Sequence, residues 1–401
     1  MRRGIAAIAR VAALGLAAAL LGACTIDDSG PIRSVWRPAD GKPAYLNVVY
    51  LTDRAPDAKA PGGFGTHWAD AASCGVAEAV IPAALLPGEA PKYGYVANAW
   101  PHPCVGAGGP VAGAVQEIEA AAKARHCASV FLFVHGFHTG FDGAVLRAAQ
   151  VGHDAQTGCV LAAFSWSAEI DVGRYAADLE HSEYAEPLLG EFLRELAASK
   201  LRVTILAHSM GDRLILAALS GLAHGRETVR QGFIDELVLA AADVGADPAN
   251  DDFSHLIADA APYARRTTIY ASAGDAVLAI SKGAHGGVPR AGREPLADLK
   301  YRANDKTHII DVIDAGEAPA DTLDHSYYAM SYEAVADMTL ALAGVPTEDR
   351  LTARDGWKPT LVCQDPPDCA ADPRYGLATG RHPRLISRIL VRLVPLIPFV
   401  Q

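Results

Sequence analysis

The residues with the clearest chemical potential form the sequence Ala-His-Ser-Met-Gly at positions 207–211. A predicted buried strand, 203–207, precedes them, and a predicted helix follows to about residue 222. A serine at such a strand-to-helix turn presents its hydroxyl above the carboxyl end of the strand. The positive end of the helix dipole beside it suits a developing oxyanion. The pattern predicts Ser209 as a nucleophile; a serine that only caps the helix is the alternative.

The match to the usual Gly-x-Ser-x-Gly pattern has one departure. Ala207 stands in place of the first glycine, and alanine is small enough for the tight turn to survive. Gly211 keeps the second glycine position and leaves the turn free of side-chain clash.

A serine nucleophile needs a general base and an acid that orients the base. In α/β sheets that carry such a serine turn, the acid and then the histidine follow the serine along the chain, each at the end of a later strand. Asp275 follows the predicted strand 267–271, and His325 follows the predicted strand 308–313. We therefore predict Asp275 as the acid and His325 as the base. Asp243, one strand earlier, is the rival acid.

Backbone donors for an oxyanion are expected from the loop after another strand. The sequence His135-Gly136-Phe137 follows the predicted strand 130–134 and matches the His-Gly signal of lipases at this point. The N–H groups of Phe137 and Met210 are the predicted oxyanion donors. Supporting, non-catalytic roles are predicted for the neighbouring residues His135, Gly136, His208 and Gly211.

These residues need a sheet that brings several strand ends together. Short apolar runs alternate with amphipathic helices from about residue 111, which is typical of parallel strands covered on both faces. The predicted fold class is α/β, a doubly wound, mostly parallel sheet with helices on both faces. The predicted strands are 46–50, 130–134, 160–164, 203–207, 236–241, 267–271 and 308–313, and the predicted helices include 111–123, 143–153 and 175–198.

Six separated motifs occur along the chain in a fixed order: Thr52-Asp53-Arg54, Val-His-Gly-Phe at 134–137, Phe-Ser-Trp at 164–166, the serine turn with Arg213, Ser272–Asp275, and His325-Ser326-Tyr327. Together they resemble a bacterial family of largely uncharacterised α/β-hydrolases that is related in fold to esterases and lipases. The resemblance spans about residues 45–345 and implies an α/β-hydrolase fold with Ser209, Asp275 and His325 as its triad. Asp212 stands where the family more often has asparagine.

The N-terminus has the pattern of an export signal. Arg2 and Arg3 precede an apolar run, 11–23, which is too short to cross a bilayer comfortably but fits a signal-peptide core. The run ends in Leu-Gly-Ala-Cys, which resembles a bacterial lipobox, so Cys24 is the predicted lipidation site. A buried helix that ends by chance at a cysteine is the alternative. We predict a lipoprotein of the bacterial cell envelope, facing the periplasm or on the outer membrane.

The predicted organisation has four parts. A signal peptide, 1–23, is followed by a tether, 24–43, and by the hydrolase domain, 44–350, whose part 55–110 is expected to be irregular. The extension 351–401 contains a basic amphipathic helix, in which arginines recur every four residues from Arg384. This helix is expected either on an anionic membrane surface or docked on the domain.

Six cysteines remain besides Cys24, and an even number in an exported protein indicates disulfides. Cys127 and Cys159 lie at the starts of two strands that are predicted to be adjacent, so they are expected to pair. Cys74 with Cys104, and Cys363 with Cys369, would complete the set.

Charge and motifs exclude other classes. The 401 residues include 35 basic and 46 acidic side chains, a net charge of -11, or -14 without residues 1–23. With no basic block, nucleic acid is a poor partner. No metal or cofactor is expected, because His-Glu-x-x-His and phosphate-loop motifs are absent and the 14 histidines lack metal-ligand spacing.

The sequence thus favours a serine hydrolase that cleaves a small ester or lipid-like substrate through an acyl-enzyme. Thioester and amide substrates stay open, because the triad does not distinguish them. A binding or scaffold lipoprotein that retains the fold without turnover is the alternative from another functional class.

Overall fold

The computed structural model of the chain shows how these segments assemble. The structure describes residues 42–82, 94–97, 102–103, 108–155, 157–247, 252–293, 309–316, 323–347, 350, 352–355 and 358–361. The predicted signal peptide, Cys24, nearly all of the tether and the C-terminal amphipathic helix lie outside these residues. So do Cys104, Cys363 and Cys369.

The chain alternates strands and helices. The strands are β1 (Ala44–Pro56), β2 (Phe64–Ile81), β3 (Tyr95–Val96), β4 (His102–Pro103), β5 (Ser129–Val134), β6 (Val160–Ser165), β7 (Arg202–His208), β8 (Ile234–Ala240), β9 (Arg266–Ala271), β10 (Ile309–Asp314), β11 (Thr352–Asp355) and β12 (Lys358–Leu361). The α-helices are α1 (Gly109–Ala124), α2 (Phe141–Asp154), α3 (Tyr175–Ala198), α4 (Met210–His224), α5 (Asp252–Ala260), α6 (Ala276–Ala284), α7 (Tyr327–Met330) and α8 (Tyr332–Leu342). Short 3-10 turns lie at Pro61–Gly63, Val172–Arg174 and Ala261–Tyr263.

All strands of the described residues join one sheet in the order β11-β12-β10-β9-β8-β7-β5-β6-β1-β2-β3, with β4 also paired to β2. From β12 through β10 and on to β1 the neighbouring strands are parallel. Among the described strands, antiparallel pairs occur only near the two outer sides of the sheet, at β11–β12 and at β1–β2 with β3 and β4. The prediction of a doubly wound, mostly parallel sheet is confirmed.

The central strands are apolar on both faces because helices cover both. In β5, Val130, Leu132 and Val134 belong to one hydrophobic cluster, whereas Phe131 and Phe133 belong to the other. The first cluster includes residues of α1, α3, α4 and α5, and the second includes residues of α2, α6, α7 and α8. Alternate side chains of a strand point to opposite faces, so the sheet separates two cores.

The N-terminal part differs from the expectation. Residues 55–110 were expected to be irregular, which is wrong for residues 64–81, where β2 is an 18-residue strand. It pairs antiparallel with β1 from Ala44↔Ile81 to Pro56↔Phe64. The sequence of β2 is rich in alanine and glycine, so it lacks the apolar alternation that identifies a strand. Hydrogen bonds to β1 therefore stabilise β2, whose own residues favour a strand only weakly.

One predicted disulfide is confirmed. Cys127 and Cys159 lie just before β5 and β6 and are bonded, with their Cα atoms 6.3 Å apart. Cys74 is also disulfide-bonded. Within the described residues, none of the helices combines the length and the apolar character needed to cross a bilayer.

Candidate active site

Ser209 lies between the end of β7 and the start of α4, in a conformation that few serines adopt. Its φ of +56° and ψ of −117° fall outside the regions that L-residues favour. The surrounding backbone holds this turn: the Ser209 N–H donates to Ala240 O at 2.9 Å, and Ser209 O accepts from Asp243 N at 3.1 Å. Such strain persists only where neighbours over-determine it, and it is typical of a serine raised on a nucleophile turn.

Two glycines let the loop after β5 approach this serine closely. A Cβ on Gly136 would lie 2.9 Å from the Ser209 Cβ and 2.9 Å from His208 O. A Cβ on Gly211 would lie 2.6 Å from Val134 O. These separations are shorter than packed carbon atoms tolerate. Residues 135–137 therefore lie against the serine turn with no room for a side chain between them.

Asp275 and His325 are in direct contact. The His325 Nδ1 lies 2.7 Å from Asp275 Oδ2, and both side chains are buried. Asp275 follows β9 and caps α6, where its Oδ1 accepts the Leu278 N–H at 2.8 Å. A carboxylate on Nδ1 fixes the imidazole tautomer and leaves Nε2 for other chemistry. The ring of His208, next to Ser209, lies 4.6 Å from the His325 ring.

Asp243, the rival acid, is engaged by other groups. Its Oδ1 accepts from Arg290 Nε at 2.7 Å and from the Ser281 hydroxyl at 2.5 Å. Its Oδ2 accepts from the Tyr175 hydroxyl at 2.5 Å. Burial alone would raise the pKa of Asp243, but the Arg290 guanidinium and these donors hold that pKa below its usual value. The acid bonded to His325 is Asp275.

The predicted oxyanion donors flank the serine. Met210 is the first residue of α4, so its N–H has no acceptor within the helix. Phe137 follows Gly136 in the loop packed on Ser209, and its side chain is half-buried. Both N–H groups thus belong to the two segments that meet at the serine.

The histidines beside the serine make ring contacts. His135 stacks on Trp166 with centroids 5.0 Å apart, and Trp166 Nε1 donates to His135 O at 2.8 Å. His208 stacks on Tyr328 at 4.3 Å. Both rings are fixed within the fold beside the serine turn.

The segment after His325 is anchored to the sheet. The Tyr327 hydroxyl donates to Tyr270 O at 2.9 Å and accepts the Ala241 N–H at 3.0 Å. Gln150 Nε2 of α2 donates to Ala329 O at 2.8 Å. These bonds restrict where the imidazole of His325 can lie.

Two charged residues near the site were not assigned a role from the sequence. Arg54, at the carboxyl end of β1, donates to Thr139 O at 2.6 Å. Asp178, in the first turn of α3, accepts the His138 N–H at 3.3 Å. Both bond the same loop that carries Phe137. The only sequence signal was the polar run Thr52-Asp53-Arg54 at the end of an apolar strand.

Comparison with protein-family models gives a match that covers the central part of the chain. The model described as "Alpha/beta hydrolase of unknown function (DUF900)" matches residues 112–342, more than half of the chain. This match confirms the resemblance to an uncharacterised α/β-hydrolase family. Comparisons with curated proteins and with solved structures found no match.

Proposed function

Because the chain belongs to a family of α/β-hydrolases of unknown function, we propose that it is a serine hydrolase that cleaves carboxylic esters through an acyl-enzyme on Ser209. The 2.7 Å bond between His325 Nδ1 and Asp275 Oδ2, beside the strained serine turn, carries this proposal. A buried carboxylate on Nδ1 prepares a histidine to act as a base toward a hydroxyl.

The acylation step uses all three side chains. The Ser209 Oγ attacks the ester carbonyl carbon while His325 Nε2 accepts the hydroxyl proton. Asp275 stabilises the imidazolium that forms. The negative charge moves to the carbonyl oxygen, where the N–H groups of Phe137 and Met210 would donate to it. Removal of one such donor typically costs about 3 kcal/mol of transition-state stabilisation.

Collapse of this intermediate breaks the bond to the alcohol oxygen, which takes the proton from His325. Water then attacks the acyl group on Ser209, with His325 again as base, and releases the acid. The substrate class is a small ester or a lipid-like ester. Activity on thioesters or amides instead would leave the residue assignments intact and change the substrate class.

We propose that this activity is exported and tethered at the cell envelope through a lipid on Cys24. The apolar run before Cys24 supports export. The disulfide between Cys127 and Cys159 is consistent with an oxidising compartment. The basic helix predicted within 382–401 is the second proposed membrane contact. Metabolic labelling with a palmitate analogue, compared between the unaltered chain and Cys24→Ala, tests the anchor.

A fluorophosphonate probe tests the hydrolase proposal directly, because it reacts covalently with activated serines. We expect labelling of the unaltered protein, none with Ser209→Ala, and strongly reduced labelling with His325→Ala. Ser220→Ala is the matched control, since Ser220 lies on α4 and bonds Asp259 on α5. No labelling of the folded, unaltered protein would reject the proposal and favour a binding or scaffold role. A panel of esters, thioesters and amides then defines the substrate.

A further inference from the structure

The guanidinium of Arg54 is fully buried and bonds several segments at the carboxyl ends of the parallel strands, the carboxyl edge of the sheet. Its Nε donates to the Ser165 hydroxyl at 3.0 Å, and Nη1 donates to Gly65 O and Ala168 O, each at 3.0 Å. Its Nη2 donates to Thr139 O at 2.6 Å. One side chain thus connects β2, the end of β6, the segment after β6 and the loop after β5.

Asp178 bonds the same loop at His138, the residue directly before Thr139. Its Oδ2 accepts the His138 N–H at 3.3 Å, and its Oδ1 accepts the Glu169 N–H at 2.8 Å. His138 has a φ of +58°, a left-handed conformation that needs support from its surroundings. Two consecutive loop residues are therefore fixed by opposite charges, His138 through its N–H and Thr139 through its carbonyl.

Burial affects both charges. It lowers the pKa of Arg54 to about 10, against the opposing effects of Asp53 and Asp178. Burial also raises the pKa of Asp178 to about 6, although two backbone N–H groups and nearby cations oppose the shift. Buried ions of this kind contribute little net stability compared with apolar residues of the same volume. Their bonds to loop backbone are better explained by a requirement for one loop geometry.

We propose that Arg54 and Asp178 are positioning residues that hold residues 135–139 so that the Phe137 N–H faces the oxyanion. This inference rests on the proposed hydrolase function. The backbone donor lies one residue from His138 and two from Thr139, so a shift of either bonded group moves the donor. Misplacement of a catalytic group by about 1 Å can reduce the rate roughly 100-fold.

The test uses Arg54→Lys and Asp178→Asn in the full chain. Lysine keeps the charge but has no planar fork, and asparagine keeps the size but loses one acceptor. The controls are Arg230→Lys, whose guanidinium donates to Ala197 O and Ser199 O away from the site, and Asp171→Asn, which accepts the Gly173 N–H in an exposed turn. Active sites are counted by fluorophosphonate labelling, and kcat is expressed per labelled site.

We expect kcat per labelled site for p-nitrophenyl butyrate to fall roughly 10- to 100-fold in both variants. KM should change less than about 3-fold, because the ground-state ester uses the oxyanion donors weakly. The inhibition constant of an arylboronic acid, which forms a tetrahedral adduct, should rise by a factor similar to the fall in kcat. The pH midpoint of kcat/KM should stay unchanged, since the contact between Asp275 and His325 is untouched. The controls should match the unaltered protein.

A loss confined to the folded or labelled fraction, with kcat per site unchanged, would overturn the inference. If Arg54→Lys fails to fold, Ser165→Ala removes only the Nε contact and should lower kcat per site about 3- to 10-fold; unchanged kcat there also overturns it. Absence of labelling in the unaltered protein would reject the hydrolase proposal and this inference together. A labelled protein whose variants keep full kcat rejects this inference alone.

Discussion

Two buried polar networks of the molecule differ in what their charges bond. At the carboxyl edge, Arg54 donates to three backbone carbonyls, and Asp178 accepts two backbone N–H groups. The second network, named here the α8 cluster, consists of Glu236, Thr268, Tyr270, Asp337 and Arg350. In the α8 cluster the short bonds join side chains, from Thr268 to Glu236 at 2.6 Å and from Tyr270 to Asp337 at 2.6 Å.

This difference indicates that the buried polar groups have different roles in the two networks. Bonds to loop backbone fix the geometry of the segments around Ser209. Bonds between side chains in the α8 cluster join the sheet to α8 without touching the serine turn. We therefore expect changes at the carboxyl edge to act on kcat and changes in the α8 cluster to act on stability.

The largest effect is expected for Asp275→Asn. Asparagine keeps the size and still caps α6, but it favours the wrong tautomer of His325. We expect kcat per labelled site to fall by roughly 1,000- to 10,000-fold, with little change in the midpoint of thermal unfolding. Asp243→Asn is the comparison, because it breaks a buried ion pair with Arg290 and leaves the Asp275–His325 contact intact.

For Asp243→Asn we expect the reverse pattern, a loss of about 3 kcal/mol in the free energy of unfolding and kcat per site within about 3-fold of the unaltered protein. A larger loss of kcat from Asp243→Asn than from Asp275→Asn would contradict the assignment of the acid.

The next effect is expected for Gly136→Ala, which tests the close approach of the loop to the serine. The added Cβ would lie 2.9 Å from the Ser209 Cβ and from His208 O, so the loop must shift. We expect a fall in kcat of roughly 100-fold. Gly190→Ala in α3 is the matched control, since its Cβ would meet only Ala218 O at 3.9 Å. The control should keep full activity, and equal activity in both variants would show that the loop tolerates the shift.

The contact between Asp275 and His325 could be predicted from the sequence because parallel strands end at one side of a sheet, whereas their role in a triad with Ser209 stays a prediction. Each of Ser209, Asp275 and His325 follows an apolar run, and the observed β7, β9 and β10 lie within two residues of the predicted strands. The buried face of a helix or strand leaves a local pattern in the sequence. That pattern located the strands well enough to predict that Asp275 and His325 lie side by side, and the structure shows this contact.

Other features depend on partners far away in the chain. Arg54 meets the Thr139 carbonyl across 85 positions, and no local periodicity reports such a bond. The same holds for β2, which forms along β1 although its own sequence is poor in strand-forming residues. The bonds of Asp243 to Arg290 and Tyr175 likewise became visible only in the structure.

An effect on stability alone, with kcat unchanged, is expected in the α8 cluster from Glu236→Gln. Burial raises the pKa of Glu236 from about 4.5 to about 8. The folded state therefore holds a proton that the unfolded chain releases between these pH values, so stability falls as pH rises through this window. Glutamine cannot ionise and should remove this dependence.

We expect the free energy of unfolding of Glu236→Gln in urea to match that of the unaltered protein near pH 4.5. Near pH 8.5 it should exceed that of the unaltered protein by roughly 4 kcal/mol. The kcat per labelled site should stay unchanged, since Glu236 lies near the start of β8, whereas Ser209 lies at the opposite end of the parallel strands. The same loss of stability with pH in both proteins would contradict a neutral Glu236 in the folded state.

The smallest effects compare two buried tyrosines whose hydroxyls bond different groups. Tyr270 donates to Asp337 in the α8 cluster, whereas Tyr327 bridges Tyr270 O and the Ala241 N–H beside His325. Each change to phenylalanine should reduce the free energy of unfolding by about 1 kcal/mol. Only Tyr327→Phe should also lower kcat per site, by roughly 3-fold, because of the two hydroxyls only that of Tyr327 anchors the segment that carries His325, the proposed base. Equal kcat in the two variants, at equal loss of stability, would show that the Tyr327 bridge acts on folding alone and that the imidazole is held by Asp275 without it.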